Sequence, residues 1–358
     1  MRDILADVDR WQREGAVVAL ATVVQTWGSS PRRVGSKMAL ASDGRISGSV
    51  SGGCVENAVF EAGIEALKTN QPQLLHFGVA DETAWEVGLA CGGSIDVFVK
   101  PLDKIFYKEL HSVIENELQA VTITVIHGPE EILGREILIR ENSHITGTLG
   151  GEWDEVALKL ANESFSNGIS QRVALSEAVE IFLEIIMPPP TLIIVGGVLI
   201  AVSLTSLAKM LGYRTIVIDP RKAWGNKERF LDVDQLIQAW PEDAFEQVKI
   251  TRSTAITMLT HDPKLDDPAL KIALNSPAFY VGALGSKSTH AKRRTRLLSD
   301  GVTEAQLSRL HAPIGLNIGA TSPAEIALAI MSEIVNVHRK QNQTAVKHEA
   351  ERSLVSSL

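Results

Sequence analysis

An α/β protein of two domains, the second built on a parallel sheet, is what the sequence predicts, and three observations carry the prediction. The chain has 358 residues, too many for one ordinary core and comfortable for two. Apolar residues make up 45% and charged residues 22%, proportions that supply ample buried surface. After the triplet Pro188-Pro189-Pro190, short apolar strands alternate with amphipathic helices, the pattern of a parallel sheet covered on both faces.

The first half reads as mixed α/β. Ile4, Leu5, Val8 and Trp11 fall at helical spacing over residues 1–14, and Ala16 to Val24 is a continuous apolar, β-branched run that predicts a buried strand. Thr26 to Gly53 is rich in Gly and Ser around the short strand Lys37–Ala41, and a helix follows over Val55–Leu67. Strands are predicted at Ser94–Val99, Val121–Ile126, Glu136–Ile139 and Val179–Ile186, with helices over 104–119 and from about Trp153 to Asn162. No internal repeat is evident.

Three prolines in a row cannot donate backbone hydrogen bonds and favour extended chain. They place a domain boundary, giving 1–187, 191–338 and a polar tail over 339–358. In the second domain Leu192–Val195, Thr215–Ile218, Ala255–Leu259 and Ala278–Val281 are strands. Ile200–Leu211, Pro268–Leu274, Ser288–Leu298 and Pro323–Val337 are helices.

A formal charge of −8 and a pI near 5.7 argue against nucleic acid, which needs a concentrated basic face. The dense run Lys292-Arg293-Arg294 with Arg296 reads as a solvated helix face. Two cysteines are too few for a disulfide scaffold and fit a reducing compartment. The N-terminus has no apolar signal core, and the Leu192–Leu204 run is broken by Gly196 and Gly197 and too short to span a bilayer. A cytoplasmic protein with no membrane association is expected.

Ile194-Val195-Gly196-Gly197-Val198 joins a strand to a helix, and Asp219 ends the next strand about 20 residues on, the layout of a Rossmann-like dinucleotide fold. Such a turn aims helix N–H groups at a phosphate. Val198, however, stands where a second loop glycine admits the pyrophosphate, so NAD(P) in its usual pose is disfavoured, and a loop holding another ligand or none is the equal alternative. Gly282-Ala283-Leu284-Gly285-Ser286-Lys287 again links strand to helix and offers an anion cradle, or an ordinary capped turn. Gly52-Gly53-Cys54 and Cys91-Gly92-Gly93 each set a thiol in bare backbone, where a ligand or simple burial would explain them. Arg32, Arg33 and Lys37 make the Gly28–Lys37 loop a second candidate anion clamp, and His261-Asp262 a weak acid–base pair.

Taken together these segments resemble the xanthine dehydrogenase accessory factor family of the XdhC/CoxI type. The resemblance runs from roughly residue 20 to 335. In the first half it rests on Thr26 to Arg32, Gly35, Lys37-Met38, Gly44-Arg45, Gly48 to Glu56 and Cys91-Gly92-Gly93. In the second it rests on Asp219-Pro220-Arg221, Thr260-His261-Asp262, Gly282 to Lys287, and Pro313 to Ala320 before Pro323 and Glu325-Ile326-Ala327.

The resemblance implies a family-specific N-terminal α/β domain and a Rossmann-like C-terminal one. It implies a maturation factor, not a turnover enzyme, that binds molybdopterin-based molybdenum cofactor and helps insert it into a xanthine dehydrogenase-type molybdenum hydroxylase. The corresponding cofactor-binding residues are Cys54, Cys91, Gly52, Gly53, Gly196, Gly197, Asp219, Arg221, Gly282, Gly285, Ser286 and Lys287. A homodimer, and a sulfur-donating cysteine desulfurase as a further partner, complete the expectation. Leu199 stands where the family often has a histidine, a departure in the Rossmann loop. An NAD(P)-dependent oxidoreductase and a thiol-based redox sensor are the competing readings.

Overall fold

A computed structural model describes the backbone of residues 1–28, 32–78 and 93–356, and side chains as far as residue 340. The chain divides into two compact units, Met1–Pro188 and Pro189–Leu358. Among the described residues no helix is long and apolar enough to cross a membrane.

The first unit opens with α1 (Leu5–Arg13), β1 (Val18–Trp27), β2 (Lys37–Ala41), β3 (Ile46–Gly48), α2 (Glu56–Thr69), β4 (Gln73–Phe77) and β5 (Ser94–Pro101). The strands form an antiparallel sheet in the order β3-β2-β1-β5-β4. After α3 (Lys104–Glu115) the same sequence of elements recurs as β6 (Ala120–His127), β7 (Glu136–Arg140), β8 (Ile145–Gly147), α4 (Glu152–Asn167), β9 (Gln171–Ala174) and β10 (Glu180–Ile186). The second sheet has the order β8-β7-β6-β10-β9, strand for strand the order of the first.

The expected lack of an internal repeat is therefore corrected: the first unit is a duplication. Thr22 pairs with Lys37 and Phe98 as Thr124 pairs with Glu136 and Phe182. The turn before the second strand is built alike, with Gly35 N–H donating to Val23 O and Gly134 N–H to Val125 O. Residues 34–50 and 133–149 align without a gap, yet only Gly35/Gly134, Ile46/Ile145 and Gly48/Gly147 are identical. The glycine at the end of β3 and β8 is dictated by space. A Cβ on Gly48 would lie 2.3 Å from Lys37 O, and one on Gly147 2.2 Å from Glu136 O, each at positive φ. Each sheet packs its own helix: Val23, Leu40 and Val97 meet Val59 and Ala66, while Val125, Ile139 and Leu183 meet Ala157 and Ala161.

The second unit is an all-parallel six-stranded sheet. β11 (Thr191–Val195), β12 (Arg214–Ile218), β13 (Gln235–Ile237), β14 (Thr254–Met258), β15 (Tyr280–Ala283) and β16 (Leu310–His311) lie in the order β13-β12-β11-β14-β15-β16. Alternate residues of β11 serve opposite layers. Leu192 and Ile194 pack under α5 (Leu199–Met210) and α10 (Pro323–Ser356). Ile193 and Val195 face α6 (Pro241–Phe245), α7 (Pro263–Asn275), α8 (Lys287–Ser299) and α9 (Glu304–Leu307).

Three features differ from those the sequence predicts. α7 starts at Pro263 instead of Pro268, because Asp262 caps it by accepting the Lys264 N–H at 3.0 Å. α10 continues past Val337, since the following Arg, Lys, Gln, Ala and Glu residues favour helix without needing an apolar face. The basic run on α8 is not wholly solvated: Arg293 lies on the side turned to α7 and is buried.

Candidate functional site

In the second unit β11 leads through α5 to one side of the sheet, while β14 lies on the other. The carboxyl ends of these neighbours form the topological switch point where α/β sheets bind ligands. Gly196 and Thr260 meet across it: a Cβ on Gly196 would sit 2.4 Å from Thr260 Cγ2. The loops after β11, β12, β14 and β15 share this edge, which brings Gly196, Gly197, Asp219, Arg221, Thr260, His261, Gly285, Ser286 and Lys287 to one rim of the sheet.

The glycine loop is engaged by its own chain. Asp219, fully buried, accepts the Gly197 N–H at 2.7 Å, the Arg221 N–H at 2.9 Å and both the Nε and a terminal N–H of Arg221 at 2.9 and 2.7 Å. Burial opposes its ionisation, but these donors outweigh burial and hold the carboxyl below the usual carboxylate range. Trp224 and Gly225 press on the same loop, for a Cβ on Gly197 would lie 2.5 Å from Trp224 O. A dinucleotide in the usual pose needs the Gly197 donor and the Asp219 acceptor, and here they satisfy each other. Val198, expected to crowd the pyrophosphate, stands at the N-cap position of α5 and makes no side-chain capping hydrogen bond.

The β15–α8 loop is arranged differently. Gly282 lies inside β15, not in the loop, where a Cβ would lie 2.6 Å from Ile314 Cδ1 and 2.7 Å from the Tyr280 hydroxyl. Gly285 takes positive φ, and Ser286 caps α8 by accepting the Thr289 N–H at 3.2 Å. Lys287, the first residue of α8, is exposed at this rim.

Beneath the loop is a group that sequence reasoning missed. Asp266 and Arg293, 1% and 2% exposed, are paired at 2.9 Å, and Thr260 donates its hydroxyl to Asp266 at 2.6 Å. Arg293 also donates to His290 Nδ1 at 2.8 Å and to Leu284 O. A guanidinium only donates, so His290 Nδ1 must carry a lone pair, and Nε2 then holds the proton it gives to Gly285 O at 2.9 Å. Burial and Arg293 both push the His290 pKa down, which keeps this tautomer neutral. The chain Asp266–Arg293–His290–Gly285 thus fixes the loop that presents Ser286 and Lys287. His261 stands beside it in the left-handed region at φ 62°, a costly setting for a side chain of this size.

Glu333 organises the next segment. It accepts the Tyr280 hydroxyl at 2.5 Å, the Gly315 N–H at 2.7 Å and His311 Nδ1 at 3.2 Å, anchoring Pro313–Ala320 to the sheet. These contacts give that segment a structural account.

In the first unit the candidate residues lie on the β3–α2 loop. Glu56 accepts the hydroxyl of Ser49 at 2.6 Å and that of Ser51, with backbone N–H groups of Val50 at 3.2 Å, Ser51 at 2.9 Å, Gly52 at 3.0 Å and Gly53 at 2.8 Å. Burial opposes ionisation, yet these donors hold its pKa at about 2. The loop is wound around a carboxylate of its own, with Gly52 and Gly53 at positive φ. The half-buried Cys54 rides on it, its N–H donating to Ser51 Oγ at 3.0 Å. The duplicate loop uses Asp154 in the same way, accepting from Thr148 and the Leu149 N–H. Arg32 reaches the first loop by donating from Nε to Ser49 O at 3.1 Å. Cys91 and Gly92 lie outside the described residues, and no set of His, Cys, Asp or Glu that could hold a metal ion occurs among the described ones.

A Rossmann-type unit whose glycine loop is closed by its own acidic residue, joined to a duplicated α/β unit, is the class of protein these features define. The family model for the XdhC Rossmann domain matches residues 192–334 and that for the XdhC and CoxI family matches residues 11–78. The chain belongs to the XdhC and CoxI family. It is 29% identical over 327 residues, covering 90% of this chain and 93% of the relative, to a Bacillus subtilis (strain 168) protein named as a probable xanthine dehydrogenase subunit. It is 26% identical over 331 residues, 92% of this chain and 86% of the relative, to the Escherichia coli (strain K12) "Molybdenum cofactor insertion chaperone PaoD". A crystal structure described as a xanthine dehydrogenase from Bacillus halodurans shares the fold at TM-score 0.77 and 24% identity, covering 94% of this chain and 96% of that one.

Proposed function

We propose that this chain is an accessory factor for a xanthine dehydrogenase-type molybdenum hydroxylase, which binds molybdenum cofactor as cargo and assists its insertion. The observation that carries the reading is the state of the Rossmann rim. Its dinucleotide loop is satisfied internally by Asp219, while the neighbouring β15–α8 loop is held firm and leaves Lys287 outward. Such a rim favours a compact phosphate-bearing ligand over a dinucleotide in its usual pose. The names of two relatives, one from a xanthine dehydrogenase and one a molybdenum cofactor insertion chaperone, give the same direction.

Two sets of groups are candidates to hold the cargo, one in each unit. Ser286 and Lys287, with Gly285, suit the pterin phosphate: the lysine supplies charge and the helix start supplies oriented N–H groups. Cys54 in its glycine frame, and Cys91, are separate candidates in the first unit, each a soft ligand as thiolate. Asp219 and Arg221 act as structural closers of the glycine loop, with Gly196 and Gly197 held between. Homodimer formation and a cysteine desulfurase as sulfur source belong to the same proposal, and the work takes place in the cytoplasm.

The test is co-purification of the chain with its molybdenum hydroxylase partner, followed by analysis of bound pterin. Retained molybdopterin that falls on replacing Lys287 by Glu or Cys54 by Ser supports the proposal. A thermal shift with NAD(H) or NADP(H) and none with molybdopterin would instead favour an oxidoreductase.

A further inference from the structure

Beside the Arg172–Asp96 pair at 2.6 Å, in which the first sheet supplies the acid and the second the base, the duplicated unit carries four further largely buried charged side chains that the proposed function does not use. Lys37 pairs with Glu184 at 2.8 Å, with the two side chains 4% and 12% exposed. Lys100 pairs with Glu136 at 2.5 Å, with side chains 12% and 15% exposed. Both pairs run from the first sheet to the second, and they flank the shared apolar contact of Val24 and Phe98 with Ile126 and Phe182.

These positions are equivalent under the duplication. Lys37 in β2 and Glu136 in β7 face Thr22 and Thr124, the matching residues of β1 and β6. Two residues beyond the matched Phe98 and Phe182, Lys100 and Glu184 also correspond. The second contacts repeat as well: Lys37 donates to Thr22 Oγ1 at 3.1 Å and Thr124 donates to Glu136 at 3.2 Å. Lys100 reaches Gly134 O at 3.0 Å, while Glu184 lies 3.5 Å from where a Cβ on Gly35 would stand. The two sheets are thus related by an approximate two-fold axis, with both lysines on one copy and both glutamates on the other.

We propose that this charge arrangement is a pairing code that makes the first copy accept only the second as its partner. Under the same two-fold geometry, two first copies would bring Lys37 against Lys100, and two second copies would bring Glu136 against Glu184. Each mismatch buries like charges in a place where water cannot screen them. A purely apolar seam would stabilise the unit as well without that selectivity, since replacing buried ion pairs by apolar residues is often neutral. The duplicated faces, otherwise similar enough to pair with themselves, are kept heterotypic within the chain. The code is independent of cofactor binding and holds whether or not the chain carries one.

Charge inversion in the full chain tests it. Lys37→Glu with Lys100→Glu makes all four of these positions acidic and leaves the Arg172–Asp96 pair untouched. Adding Glu136→Lys and Glu184→Lys restores complementarity with the code reversed. The half-inverted chain is expected to lose about 10 °C or more in Tm, or to fail to fold. The fully inverted chain is expected to return to within a few degrees of the parent, with the parent's mass in solution. A fully inverted chain as impaired as the half-inverted one, or a half-inverted chain indistinguishable from the parent, would overturn the proposal.

Discussion

Arg293→Met tests whether the buried pair beneath the β15–α8 loop does what its geometry requires. The substitution keeps the length and apolar stem of the side chain but removes the donors to Asp266, His290 and Leu284 O. Asp266, 1% exposed, is left with the Thr260 hydroxyl alone among its side-chain donors. Removing one partner of such a pair costs about 3–5 kcal/mol, against about 1 kcal/mol or less for an exposed pair. In a unit of this size that corresponds to roughly 10 °C in Tm. Combining Asp266→Leu with Arg293→Met removes both charges, leaving the Thr260, His290 and Leu284 O hydrogen bonds unmet, at about 1–3 kcal/mol each. The double variant is therefore expected to be more stable than either single one. Urea unfolding of the parent, the two single variants and the double variant gives the coupling energy as a thermodynamic cycle. Single variants that cost under ~1 kcal/mol, or energies that simply add, would refute the reasoning.

The loops yield three more expectations. Glu56 has a pKa held near 2, below its unfolded value, so its stabilisation is present above about pH 4.3 and lost as pH falls toward 2. The stability gap between the parent and Glu56→Gln is accordingly expected to be full at pH 7 and to close in acid, as read by denaturant midpoints at each pH. His290 has a depressed pKa, so the folded state resists its protonation and stability falls as pH drops below about 6.5. His290→Gln is expected to flatten that slope between pH 7 and 5 in thermal unfolding. Gly196→Ala, at φ 107° and with Thr260 Cγ2 2.4 Å from the new carbon, is expected to cost about 2–4 kcal/mol. Gly212→Ala, also at positive φ but meeting nothing, is expected to cost clearly less in the same urea titration.

The parallel sheet was legible because its strands are short apolar runs separated by helices with clear starts, from Leu192–Val195 onward. The duplication was not, because its two copies share geometry more than side chains. Lys37 became Glu136, and what persists is Gly35, Gly48 and an apolar alternation that any sheet would show. The edge strands β3, β4, β8, β9 and β13 are short and half-polar, and periodicity has little to count there. At the site, Asp219 and Arg221 were marked by their place after β12. Their direction was not, since a sequence cannot show that the carboxylate turns back onto Gly197. Arg293 was hidden inside a basic run in which Arg294 is exposed, and Asp266 inside Leu265-Asp266-Asp267-Pro268. Only the packing of α8 on α7 shows that residues 293 and 296 face residues 266 and 267.

The most direct measurement of the proposed carrier role is the pterin released when the chain, purified from cells that make molybdenum cofactor, is denatured. The account predicts molybdopterin near one per chain, and much less from a chain with both Cys54→Ser and Lys287→Glu whose Tm is unchanged. A well-folded parent that releases no pterin under conditions where the proposed hydroxylase partner is loaded would contradict it.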